Sequence, residues 1–131
     1  MNQASLDDAT STAILPLLAN AIMTAWELGD TETYRAHCAP GVRMTIPRYG
    51  LDVTGFEAIW GVRTSMKPLD AGPLDLHTVV SHALKGRSVE ALAQVFSRST
   101  GQVTQHARVR FDFDDAARLV HYHQDVIWPA G

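Results

Sequence analysis

The sequence predicts an α+β domain in which three helices pack on one face of a curved, mainly antiparallel sheet. Three observations predict it. Apolar residues recur every three to four positions in three segments of the first half. From Leu74 onward the period drops to two. Turn clusters at Lys85-Gly86-Arg87, Ser99-Thr100-Gly101 and Asp114–Arg118 then cut the second half into four long strands.

Residues 1–11 are small and polar and read as a loose tail, leaving 12–131 as one domain. Thr10-Ser11-Thr12 offers N-cap hydroxyls for a first helix carrying Ile14, Leu17, Leu18, Ala21, Ile22, Ala25 and Leu28 at helical spacing. Pro16 requires that helix to start close to it, because a deeper proline removes a backbone hydrogen bond. Gly29 ends the helix and Asp30 caps the next, about Thr31 to Cys38, which stops at Pro40-Gly41. Glu27 and Glu32 read as solvated charges. Val42 to Pro47 reads as a short strand, Arg48-Tyr49-Gly50 as a loop, and Thr54-Gly55-Phe56-Glu57 as the start of a third helix. Phe56, Ile59, Trp60, Arg63 and Met66 repeat along it. Lys67 to Pro73 holds two prolines and a glycine and reads as a loop. Strands are expected at 75–84, 88–99, 104–113 and 119–128.

At 131 residues the chain can bury a core without staples. Its 11 basic and 14 acidic residues give a formal charge of −3 with no basic run, which argues against nucleic-acid binding. The lone Cys38 excludes an internal disulfide framework and reads as a buried small hydrophobe. No apolar run is long enough for a membrane span, and Asp7 and Asp8 near the start argue against a signal peptide. A cytoplasmic location with no membrane partner is expected.

The closing strand, Leu119 to Trp128, carries the chemistry. Alternation places His121, His123, Asp125 and Ile127 on one face, with Val120, Tyr122, Gln124, Val126 and Trp128 on the other. Two imidazoles and a carboxylate on one strand face form a candidate acid–base site. The His-x-His-x-Asp spacing also suits a divalent metal, although the leading reading uses no metal.

Three segments resemble the NTF2-like, or SnoaL-like, superfamily. Ala25-Trp26-Glu27-Leu28-Gly29-Asp30 through Ala39-Pro40-Gly41-Val42 looks like its helix, Gly-Asp, helix, Pro-Gly-Val opening. Val53-Thr54-Gly55-Phe56-Glu57-Ala58-Ile59 is similar to its Gly-started third helix, and Val120 to Pro129 to its final His-x-Asp strand. The resemblance implies a cystatin-like cone, three N-terminal helices inside a bent sheet, with an apolar pocket. It makes Asp125 the candidate general base, matching the final-strand aspartate of limonene-epoxide hydrolases, with a pKa raised by desolvation. His123 would orient it or shuttle a proton. His77 resembles the pocket histidine of the scytalone-type dehydratases. Gln94 and Phe96 stand where the epoxide hydrolases carry an Arg-x-Asp pair, so that triad is missing.

Tyr49, Trp60, Arg63, Met66 and Phe96 are the expected substrate-binding residues, Arg63 toward an anionic group. His82, His106, His37 and His121 read as surface or rim residues. The expected function is a cofactor-independent isomerase, dehydratase or cyclase acting on a small, largely apolar molecule. A non-catalytic binding or dimerisation domain, and an epoxide hydrolase with an altered catalytic set, stand as alternatives. The strand at 88–99 is apolar on both faces, so a homodimer through the outer sheet face is expected.

Overall fold

The computed structural model describes residues 12–65, 76–97 and 100–128, and for 76–81 the backbone alone. The elements are α1 (Leu15–Leu28), α2 (Thr31–Ala36), β1 (Cys38–Ile46), a 3-10 turn (Pro47–Tyr49), β2 (Leu51–Thr54), α3 (Phe56–Ser65), β3 (Leu76–Lys85), β4 (Ser88–Phe96), β5 (Val103–Phe113) and β6 (Leu119–Trp128). The six strands form one sheet in the order β2-β1-β6-β5-β4-β3. The β1–β6 pair is parallel and the other pairs are antiparallel.

Pro16 lies in the first turn of α1, where its missing N–H costs nothing. Ile14, not one of the hydroxyl residues at 10–12, occupies the N-cap, without a side-chain bond; Thr10 and Ser11 lie outside the described residues. Gly29 closes it at φ 74°, and the Asp30 N–H reaches back 2.9 Å to the Ala25 carbonyl. Asp30 then caps α2: its carboxylate accepts from the Thr33 N–H at 3.2 Å and from the Thr33 hydroxyl at 2.6 Å. These bonds hold the Asp30 carboxyl below its usual range.

Several expectations are corrected. Helix α2 ends at Ala36, and Pro40-Gly41 lies inside β1. The register there runs from Cys38 opposite Leu119 to Arg43 opposite His121, so β1 carries extra residues and Pro40 needs no ladder partner. Between the expected Arg48-Tyr49-Gly50 loop and the third helix lies β2, which takes in Thr54 and pairs with β1 from Ile46↔Leu51 to Arg43↔Thr54. Helix α3 follows the first two strands, so it is not N-terminal in the sense that α1 and α2 are. Glu27 is 7% exposed, buried rather than solvated.

One face of the sheet meets the helices. Met44, Tyr122, Phe111 and Val89 run across it in one register row and join Leu15, Ile22, Tyr34 and Ile59 in the core. Burying these apolar side chains is the main stabilising term. Trp26, Tyr34, Phe56 and Trp60 pack ring on ring at 5.2–6.2 Å between α1, α2 and α3. The opposite face carries Arg43, Thr45, His121, His123, Asp125, Arg110 and Asp112. No helix among the described residues is long and apolar enough to cross a membrane.

Candidate functional site

The polar face is built by register. Parallel pairing sets Thr45 opposite His123 and Arg43 opposite His121. Antiparallel pairing brings Asp112 opposite His121, Arg110 opposite His123 and Arg108 opposite Asp125. Thr45 Oγ1 lies 2.8 Å from His121 Nε2 and 2.6 Å from His123 Nδ1. His123 Nε2 lies 3.1 Å from Asp125 Oδ1, and an Arg110 terminal nitrogen lies 3.3 Å from His121 Nδ1.

Donor inventory gives this chain a direction. Arginine only donates, so His121 Nδ1 accepts and its proton sits on Nε2, aimed at Thr45. The Thr45 hydroxyl is then free to donate to His123 Nδ1. His123 carries its proton on Nε2 and donates it to the Asp125 carboxylate. Burial and the neighbouring Arg110 guanidinium lower the His121 pKa, which keeps that ring neutral. Asp112 accepts from Arg110 Nε at 3.0–3.1 Å and from the Ser88 hydroxyl at 2.7 Å, and so anchors the arginine. Thr45 is 9% exposed, whereas the Asp125 side chain is 52% exposed.

A separate open cavity of about 240 Å³ lies on the helix side, with Leu17, Asn20 and His82 exposed to solvent. Pro16, Leu17, Ala19, Asn20 and Met23 of α1 line it, against His82, Val89, Ala91 and Phe111 of the sheet. His82 stands opposite Ala91 in the β3–β4 register, which turns it toward the helices. The cavity is apolar apart from Asn20 and His82.

The expected site residues fall into different places. Asp125 and His123 are adjacent, but they lie on the face away from the helices and not beside this cavity. Alternation along β6 gives the helix side to Tyr122 and Gln124, both buried. The burial expected to act on Asp125 is therefore absent. His77 sits opposite Val95 in β3, and its side chain lies outside the described residues. Met66 also lies outside them.

Trp60 belongs to the aromatic cluster. Arg63 spends its donors on α1: Nε reaches the Trp26 carbonyl at 2.5 Å and a terminal nitrogen the Glu27 carbonyl at 3.3 Å. It lies over Trp60 at 5.3 Å. Phe96 ends β4, half-buried, opposite Leu76 and Val103. The exposed Tyr49 hydroxyl accepts from Gln105 at 2.7 Å. Gln105 accepts from Gln124 at 3.4 Å, and Gln124 accepts from the Tyr122 hydroxyl at 2.7 Å.

Thr45 and Asn20 were missed, while His82, read as a surface or rim residue, is exposed and also lines the cavity. Thr45 looks like any strand threonine until the β1–β6 pairing is known. The signal for His82 was its even spacing from Leu84 and Val80, which a shift in the β3 register obscures. Among the described residues, no group of three or more His, Cys, Asp or Glu is placed to hold a metal ion.

Neither a family model nor a curated protein sequence matches the chain. Solved structures do. A protein with a cystatin-like fold from Methylobium petroleophilum PM1 superposes with a TM-score of 0.74 at 14% identity, covering 92% of this chain and 80% of that one. An NTF-2-like protein from Burkholderia xenovorans LB400 gives 0.68 at 15% identity, over 89% and 85%. A protein named as a candidate isomerase of the SnoaL-like family from Agrobacterium tumefaciens C58 gives 0.70 at 14% identity, over 84% and 94%. With its parallel β1–β6 pair, its antiparallel meander and its helices on one face, this chain has the cystatin-like fold of the NTF2-like, SnoaL-like superfamily.

Proposed function

We propose that this chain is a cofactor-independent enzyme acting by acid–base chemistry on a small, largely apolar carbonyl or hydroxyl compound held in the helix-side cavity. The observation that carries the reading is the lining: an apolar wall with one amide and one imidazole. Such a wall binds by burial, while a few polar groups orient the ligand. Asn20 would hydrogen-bond the substrate oxygen, and His82 would move the proton, the role sequence reasoning gave to His77 and Asp125. The Agrobacterium protein's name, a candidate isomerase, supports this class. We also propose a homodimer through the outer face at β4, where Leu92 and Phe96 alternate with Glu90 and Gln94.

The test is deuterium incorporation from D2O into a panel of cyclic ketones and enones, followed by NMR. Exchange next to the carbonyl is expected, falling roughly 10²–10⁴-fold in His82→Gln while ligand-induced shifts at Ala91 and Phe111 persist. Ala91→Leu should fill the cavity and abolish binding. Unchanged exchange in His82→Gln would remove the catalytic role and leave a binding domain.

A further inference from the structure

The outer face carries a second arrangement that owes nothing to the cavity. Three side chains stand in nucleophile, base and orienter order: Thr45 Oγ1 is 2.6 Å from His123 Nδ1, and His123 Nε2 is 3.1 Å from Asp125 Oδ1. Hydroxyl nucleophiles are recognised by this sequence of contacts and not by position in the chain. The fourth contact makes it more than a lone triad. His121 Nε2, 2.8 Å from the same oxygen, donates to it and so leaves the Thr45 hydroxyl proton directed at His123 Nδ1. Its direction is set from outside by Arg110.

We propose that Thr45, His123 and Asp125 form an acyl-transfer site, with Thr45 Oγ1 as the acyl acceptor from small esters. The Thr45 oxygen attacks the ester carbonyl carbon while its proton passes to His123 Nδ1. The Asp125 carboxylate holds the resulting imidazolium through Nε2. The bond from the carbonyl carbon to the alcohol oxygen breaks, and the leaving oxygen takes the proton back from His123 Nδ1. A water molecule then attacks the acyl-Thr45 ester and gives its proton to His123. The carbonyl–Oγ1 bond breaks, and Thr45 regains that proton as the acid leaves.

Thr45 is 9% exposed between two imidazoles, so the acyl group is small, of acetyl size. Asp125, at 52% side-chain exposure, marks the open end of the site. Asp125 touches His123 and not the reacting atoms, so it is a positioning residue.

The probe is p-nitrophenyl acetate added to the intact protein, with nitrophenolate release read by absorbance and the acylated residue located by peptide mass spectrometry. Expected are a burst of release and an acetyl group on Thr45. The burst should be lost in Thr45→Val and kept in Thr45→Ser, which also shows that the site survives substitution. Asp125→Asn should slow the burst at least tenfold without reducing its amplitude, an effect that loss of folded protein would not mimic. Acetyl found only on lysine, Cys38 or an imidazole would overturn the proposal. So would equal bursts in Thr45→Val and the unaltered protein, or no burst in the unaltered protein.

Discussion

Thr45 and His123, 78 positions apart in the chain, meet at 2.6 Å because β1 and β6 run parallel with those residues in register. The contact ties the middle of β1 to the last strand. Thr45→Val keeps the shape but leaves His121 Nε2 and His123 Nδ1 without their shared partner. Both rings are about one-fifth exposed, so water replaces part of the loss. A destabilisation of about 1–2 kcal/mol in urea denaturation is expected. No change in midpoint would mean that the two bonds contribute nothing.

His121 sets a pH dependence. Burial is the first cause of its lowered pKa and Arg110 the second, with Arg43 and His123 adding and Asp112 opposing. The unfolded chain takes up a proton near pH 6.5, whereas the folded ring resists. Stability from this group is therefore complete above about pH 6.5 and is lost as pH falls through the folded value. Urea midpoints between pH 7.5 and 5 should fall less steeply in His121→Gln than in the unaltered protein. Parallel curves would count against the assignment.

Gly29 and Gly50 separate two effects. Both hold left-handed φ, 74° and 66°. A Cβ at Gly50 meets nothing, whereas one at Gly29 comes within 3.0 Å of the Arg63 guanidinium. Gly50→Ala should cost about 1 kcal/mol from backbone conformation alone. Gly29→Ala should cost more, because Arg63 must also withdraw from the end of α1. Equal losses by thermal denaturation would show that the Arg63 contact adds nothing.

Cys38 should be a poor nucleophile. Burial pushes its thiol up to about 11, and Sγ donates to the Tyr34 carbonyl at 3.2 Å. Iodoacetamide labelling of the folded protein at pH 7.5 should run well below that of the urea-unfolded chain. The folded thiol keeps its proton where the unfolded one begins to lose it, near pH 9. Stability from this group is thus present below pH 9 and lost as pH rises toward 11. Rapid native labelling would contradict this.

The proposed dimer predicts twice the chain mass by light scattering at micromolar concentration, reduced to the monomer mass by Leu92→Glu. A monodisperse monomer of the unaltered protein would end that proposal.

Much of the architecture was legible locally. The four C-terminal strands follow from their alternation, and the observed bounds of β3 and β6 differ from the expected ones by at most one residue. Gly29-Asp30 reads as a stop and a cap because each acts on its own neighbours. β2 escaped notice because four residues are too few for a period to show. The start of β1 escaped because Pro40-Gly41 reads as a break unless a partner strand absorbs the bulge.

The amino-acid sequence by itself determined the type of every element except β2, the α+β class and the sharing of one strand face by His121, His123 and Asp125. Each depends on periods of two or 3.6 that the backbone imposes over a few residues. Only the tertiary structure decided which way that face looks. A strand's alternation has two phases, and burying Tyr122 with Met44 and Phe111 under the helices sent the histidines and Asp125 to the other side. It also decided that Thr45 joins them and that His82 faces the cavity. Those outcomes rest on pairing between distant strands, which no local pattern encodes.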